Sequence, residues 1–585
     1  MSESHFKGNG VSAGIALAPA FVYCRHDQAL AEAGNSTGDS MARFKDSLSA
    51  AARFITDLMQ KPGSSAESSG ILEAQLLMLE DPSIIDDVKS AISSGRTAEA
   101  AVDLVFSDAC RKLETVDDPY ISARASDLRD VKLVLLSCLQ GKNKSLADML
   151  MGINIPVVVI ADEILPTDTA GITPFNVAAF ATEKGGGNSH AAIIARKLSI
   201  PAVFSIDNFQ RLLDEAQRAE RVIVDGIIGE VILDPETNTV ESCMQKMSKA
   251  SENEAADRTS AFMAAVTIDG TRVIVEANIA DTGEIDDVLK SGADGIGLFR
   301  TEFLLIGRNS MPDEEEQFAV YRNVSEAMKA KQTIVRTFDI GGDKSPPFLA
   351  LSVEANPFLG YRGARLTLDR EELLRPQVRA VLRASVSGNV SLMLPMVSVP
   401  REVVRFREIV AEEKDKLVSS GRKVGNVGIG IMVEVPSIAL TLRTVLKDLD
   451  FVSIGTNDLT QYCLAADRNN SAVERLNDHL DPSIITLIVK VASECRKEGV
   501  AAAVCGEMAG DPYAIPLLVG AGIGTLSVSP SSVAGVKRAI GRIDKIRASK
   551  AVRMAMKMHS ADDVRNMVRR KFMVVSEPVT SPDQS

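Results

Sequence analysis

The chain of 585 residues contains no tryptophan, and aromatic residues make up only 4% of it. Its seven cysteines (Cys24, Cys110, Cys138, Cys243, Cys463, Cys495 and Cys505) are odd in number, scattered and never in CxxC spacing. That pattern offers neither a disulfide framework nor a zinc site and fits a reducing compartment. No run of about 18 apolar residues occurs, and the opening MSESHFKGNG lacks the basic and apolar regions of a secretory signal, so a cytoplasmic location is expected, with no membrane insertion. A basic excess is missing too. The formal net charge is −13, which argues against a nucleic-acid binder, and the one basic run, Arg569 to Lys571, reads as a solvated helix face.

What is present is globular: 45% hydrophobic and 24% charged residues, in a chain too long for one core, so two to four domains are expected. GIALAPAFVY, from Gly14 to Tyr23, reads as a single buried strand followed by a turn-rich connector. Five segments with apolar residues at three-and-four spacing then predict an all-helical bundle over 40–148. Strand patterns return in NIPVVVIADE, NVAAFATEKG, IPAVFSI, RVIVDG and GEVILDP, interrupted by a helix that begins near His190. The simplest account is a discontinuous α/β domain, 1–39 and 149–236, with the bundle inserted in it. The polar, helix-prone stretch 237–260 reads as a linker.

Eight short apolar runs follow, from RVIVEANI to TLSVS, with helical patterns or long loops between them. They predict a (β/α)8 TIM barrel over 261–545, because parallel strands are buried on both faces and need crossover helices. Residues 546–585 are expected to form a C-terminal helix and tail. A doubly wound open sheet is the alternative, and its Gly-rich fingerprint is missing after the first run.

Chemistry in such a barrel collects at the C-terminal strand ends, and these ends are polar. They carry Arg300, Arg336, Glu434, Asn457 with Asp458, and Cys505, while Arg362, Arg365 and Arg468 lie in nearby loops. Singly, each reads as a partner in a surface ion pair. Together, several arginines at one mouth repel unless a polyanion is shared among them, and guanidinium forks match phosphate and carboxylate. Glu434 and Asp458 suit Mg²⁺, which takes one or two carboxylates and completes its shell with water and phosphate. Cys505 reads equally as a small core residue, an acid or a nucleophile.

In GGGNSHAAIIAR, residues 185–196, three glycines allow close approach to a ligand, and Asn188 and Ser189 are both N-cap types. A helix start favours phosphate, and an imidazole with a pKa near ~6.5 is largely neutral in the cell and nucleophilic. His190 is therefore a candidate phosphohistidine, against the plainer reading of a satisfied structural histidine.

Together these motifs resemble Enzyme I of the bacterial phosphoenolpyruvate:sugar phosphotransferase system, the phosphoenolpyruvate-protein phosphotransferase family. GGGNSHAAIIARKLSIPAV resembles the family's phosphohistidine loop and LPTDTA the threonine-bearing segment before it. GIGLFRTEFLL, RTFDIGGDK, NPFLGYRGAR, GIMVEVPSIAL, SIGTNDLTQYCLAADR and VCGEMAGD resemble its phosphoenolpyruvate signatures, in the family's order.

The resemblance implies His190 as phosphoacceptor with Thr169 as its hydrogen-bond partner. Arg300, Arg336, Arg468 and Asn457 would hold phosphoenolpyruvate, Glu434 and Asp458 would bind Mg²⁺, and Cys505 would protonate the enolate carbon. It further implies a homodimer and docking of the phosphocarrier HPr on the helical bundle. The chain departs from the family pattern at Asn188, usually threonine, and at Gln75, where histidine is frequent. Rivals are pyruvate phosphate dikinase or phosphoenolpyruvate synthase, for whose ATP-binding domain there is no room before residue 150, and a regulatory protein that senses phosphoenolpyruvate without turning it over.

Overall fold

The computed structural model describes residues 3–23, 37–59, 66–114, 119–141, 144–153, 155–186, 189–305, 308–342, 346–352, 354–468, 470 and 473–573. The chain divides into two compact units, Met1–Ser251 and Glu252–Ser585.

In the first unit, GIALAPAFVY is not one strand but two, Ile15–Ala18 and Ala20–Tyr23. Pro19 between them has no N–H to give a ladder, and the chain changes sheets there. Ile15–Ala18 edges a four-stranded antiparallel sheet with Val222–Asp225, Glu230–Leu233 and Ser4–Lys7. Ala20–Tyr23 edges a five-stranded sheet, pairing in parallel with Val157–Ala161, then Val177–Thr182 and Ala202–Phe204; Asn9–Ser12 closes the other edge antiparallel.

The period of two in VVVIA sorts its side chains between two cores. Val157, Val159 and Ala161 face the helix His190–Lys197 through Ala191, Ala192 and Ala195. Val158 and Ile160 join the core of the helix Phe209–Ala216. Five helices, Thr37–Met59, Ala66–Leu79, Pro82–Ser93, Ala98–Glu114 and Pro119–Leu139, surround a core of their own that includes Phe44, Ile55, Leu72, Phe106 and Val131. The connector expected after Tyr23 lies mostly outside the described residues, as does Asn188.

The stretch 237–260 is a helix, Thr237–Ser260, where a linker was expected. Its sequence has no proline or glycine to break it, and Cys243 buries against Ile223 and Ile232 of the four-stranded sheet. The run Arg569–Lys571 ends the described chain as a turn of wide helix with exposed basic side chains.

In the second unit, eight parallel strands close on themselves: Arg272–Ile279, Ile296–Phe299, Thr333–Arg336, Val390–Leu394, Gly428–Val433, Phe451–Ile454, Ala501–Val504 and Thr525–Val528. Closure is direct, with Ile274 opposite Thr525 and Ala277 opposite Val528. One set of strand side chains packs on the surrounding helices, and Leu298, Ile334, Met393, Met432, Phe451 and Cys505 form a separate cluster. The barrel is thus a filled core whose upper layer ends at Cys505. Among the described residues no helix is long and apolar enough to cross a membrane.

One carboxyl is buried on the first barrel strand. Glu276 lies beside Gly297 and Ser527, and burial, reinforced by Asp294, pushes it up to about 7 from 4.5. The folded state holds this proton where the unfolded chain releases it. Its contribution to stability is therefore complete below about pH 4.5 and is lost as pH rises through about 7. Glu276→Gln should stabilise the barrel by ~3 kcal/mol at pH 8 and change little at pH 4. Urea unfolding at the two pH values checks this, and an equal change at both would contradict it.

Candidate active site

In the first unit, Ser189 adopts an extended N-cap conformation, and its hydroxyl accepts the Ala192 amide at 3.3 Å, which starts the helix at His190. Gly185, before the cap, has φ +114°, and a Cβ there would stand 3.0 Å from the Phe204 ring. Only glycine suits that position. The half-buried His190 ring sits with Nε2 3.3 Å from the hydroxyl of Thr169, which ends the short helix Pro166–Thr169. That hydroxyl donates to the Pro166 carbonyl at 2.8 Å. With its one proton on that carbonyl, the hydroxyl can accept from the ring when the ring hydrogen is on Nε2. The expected pair His190 and Thr169 is brought together.

The barrel mouth gathers the other expected residues. Arg336, the last residue of the third strand, is buried between Glu302 (3.1 Å) and Asp339 (3.3 Å). Burial opposes its charge, but Glu302, Asp339 and Glu434 outweigh it and hold the guanidinium firmly protonated. Arg362 is almost fully buried and grips Asp339 with both Nε (3.3 Å) and Nη2 (2.8 Å), reaching Asp458 at 3.7 Å. The loops that meet here are very close: Gly341, at φ +99°, has its Cβ direction filled by the Tyr361 carbonyl 2.1 Å away.

Arg300 follows the second strand. It stays open to solvent at the mouth, yet is hemmed in by protein; burial and then the neighbouring Arg336 push its pKa down. Arg468 lies 3.9 Å from Asp458 and over the Phe358 ring. Asn457 stands in the first turn of the helix Thr456–Leu464, where its carbonyl oxygen accepts the Glu507 amide at 3.0 Å. Arg365 is not part of this group: it braces the carbonyls of Leu359 and Gly360 and the Ser398 hydroxyl.

Glu434 follows the fifth strand and is buried; one oxygen accepts the amide of Met396, whose φ of 56° is unusual for a non-glycine residue. Burial, with Asp458 and Asp339 nearby, raises its pKa. Asp458 Oδ1 is buried without a hydrogen-bond donor among the described residues. Two crowded carboxylates, one with an oxygen not hydrogen-bonded, fit a hard divalent cation that takes its remaining ligands from water and phosphate. No group of three or more His, Cys, Asp or Glu that could hold a metal alone occurs among the described residues. Cys505 follows the seventh strand, and burial pushes its thiol up to about 11, so it is protonated at neutral pH.

Three family models match parts of the chain: the N-terminal part of PEP-utilising enzymes over residues 7–124, their mobile domain over 153–229 and their PEP-binding domain over 254–545. The phosphoenolpyruvate-protein phosphotransferase of Bacillus subtilis is 37% identical over 579 residues, spanning 97% of this chain and 99% of that protein. The protein of the same name from Priestia megaterium is 40% identical over 510 residues, spanning 87% and 88%.

The chain belongs to the phosphoenolpyruvate-protein phosphotransferase family.

Within this phosphotransferase, several residues of the site escaped notice in the sequence. Glu302 and Asp339 lie inside the motifs FRTEF and TFDIGGD, but their role as the carboxylates that seat Arg336 and Arg362 needs the contact to be seen. Asn278, on the first barrel strand, donates to the Cys505 carbonyl at 3.1 Å and accepts from Ser527 at 2.5 Å. It fixes the backbone that carries the thiol, and nothing in RVIVEANI marks it.

Proposed function

We propose that this chain transfers the phosphoryl group of phosphoenolpyruvate to its own His190 and then to a histidine of the phosphocarrier protein HPr, as the first step of the sugar phosphotransferase system. The observation that carries the reading is Arg300 beside Arg336: two guanidinium groups share one mouth, and the outer one has its charge disfavoured until an anion arrives. A phosphorylated carboxylate supplies that anion, and Arg468 and Asn457 stand at the same mouth to orient it.

In the first step the bond between the bridging enol oxygen and phosphorus breaks and a nitrogen–phosphorus bond forms at the unprotonated nitrogen of the neutral His190 ring, which keeps its one N–H. The arginines balance the phosphate and carboxylate charge, so the barrier falls by positioning and charge neutralisation. Mg²⁺ held by Glu434 and Asp458 would neutralise further charge on the phosphate oxygens. The enolate left behind takes its C3 proton from the Cys505 thiol, giving pyruvate, and the thiolate is reprotonated from solvent. His190 must then reach the acceptor histidine of HPr. A cytoplasmic homodimer completes the reading.

The rival is a sensor that binds phosphoenolpyruvate without consuming it. Pyruvate measured against enzyme decides between them: one equivalent on first contact, then continuous release once HPr is added, is the expected course. Saturable binding with no pyruvate would favour the sensor.

A further inference from the structure

Helices of the bundle reach directly beneath the turn that meets His190. Asp130, fully buried on the helix Pro119–Leu139, accepts the Thr167 hydroxyl on Oδ1 at 2.6 Å and the Thr167 amide on Oδ2 at 3.0 Å. Gln75, fully buried on the helix Ala66–Leu79, donates to the same Oδ2 at 3.0 Å. The next residue, Asp168, is also fully buried; it accepts the Tyr23 hydroxyl at 2.6 Å and the Leu165 amide at 3.0 Å. Thr169 follows, with its hydroxyl on His190 Nε2.

A four-residue helix has too few internal hydrogen bonds to hold its own shape. Its two middle side chains are nevertheless both locked by buried, short hydrogen bonds. A buried carboxylate is costly unless it is fully hydrogen-bonded, and Asp130 collects at least three donors, two of them from Thr167. The Thr169 hydroxyl is two residues beyond Thr167 and one hydrogen bond from the imidazole.

We propose that Asp130, supported by Gln75, is a positioning residue for His190. Through Thr167 it fixes the 166–169 turn, and through the Thr169 hydroxyl it sets the tautomer and orientation of the imidazole. The bundle thereby contributes to the phosphorylation site itself. This inference rests on the reading of His190 as the phosphoacceptor.

Asp130→Asn turns one acceptor oxygen into an amide donor facing other donors. It should slow label transfer from phosphoenolpyruvate to His190 by about 10- to 100-fold, by analogy with the loss of a group that orients a metal-ligating side chain, with KM for phosphoenolpyruvate unchanged. In a Thr169→Ala background the same substitution should add less than about 2-fold, because both act along one path.

The full-length chain labelled with ¹⁵N-histidine, which has only five histidines, gives a second readout. The His190 ring-nitrogen resonances should show a changed tautomer balance in Asp130→Asn relative to the parent. Thr167→Val, which deletes one bond, should move both readouts in the same direction but less, and it serves if Asp130→Asn does not fold. Equal slowing with and without the Thr169 hydroxyl, or unchanged His190 resonances in the folded variants, would overturn the inference. Label on His190→Ala would instead overturn the phosphoacceptor reading, and the nitrogen spectra would still decide the role of Asp130.

Discussion

Arg336→Met and Arg300→Met should both reduce turnover of phosphoenolpyruvate by about 10²- to 10³-fold, the loss expected when one aimed charge donor is removed, but only Arg336→Met should destabilise the fold. Arg336 is buried between Glu302 and Asp339, with Glu434 close enough to favour its charge. Its removal leaves Glu302 without its cation and the buried Asp339 with Arg362 alone, and the loss of one partner of a buried pair costs up to about 3–5 kcal/mol. Arg300 has the opposite character: burial and Arg336 disfavour its charge. Its removal should leave the barrel at least as stable as the parent. Steady-state pyruvate formation and urea unfolding of both variants check the split. Equal destabilisation by the two would show that Arg300 serves the fold, and Arg336→Lys should recover little, since an ammonium cannot span two carboxylates as the planar fork does.

Cys505→Ala should separate the two halves of the first step. The buried thiol, held up at about 11, is a protonated acid at neutral pH. Without it the phosphoryl group can still leave, but the enolate has no positioned proton donor. Labelling of His190 in a single turnover should stay within about 10-fold of the parent. Enzyme-catalysed exchange of the pyruvate methyl protons with D₂O, which runs the proton transfer in both directions, should fall by about 10²- to 10⁴-fold, the usual worth of a placed acid or base. Exchange at the parental rate would assign Cys505 to the core, where its contacts with Leu298, Met432 and Phe451 also place it.

The eight barrel strands were legible because strands buried on both faces have no choice but to be short apolar runs, and the site residues stood at the ends of those runs. The five bundle helices were legible from their spacing. Pro19 was present in the sequence, yet the apolar pattern on either side concealed that it divides two sheets. The helix over 237–260 was hidden by its polarity, which suits a solvent-exposed helix as well as a linker. Pairings distant in the chain left no local trace. Asp130 with Thr167 is separated by 37 residues and Asn278 with Cys505 by 227, and no periodicity encodes such contacts. Glu302 and Asp339 were visible as residues but not as the counter-charges that decide which arginines are free for a ligand.

The most direct test of the relay is covalent. The purified chain and His190→Ala are each incubated with phosphoenolpyruvate labelled in its phosphoryl group and Mg²⁺, and HPr is then added. The account predicts acid-labile label on the parent alone, one per chain, leaving it for HPr on mixing. Label on the variant, or label on the parent that HPr cannot remove, would contradict it.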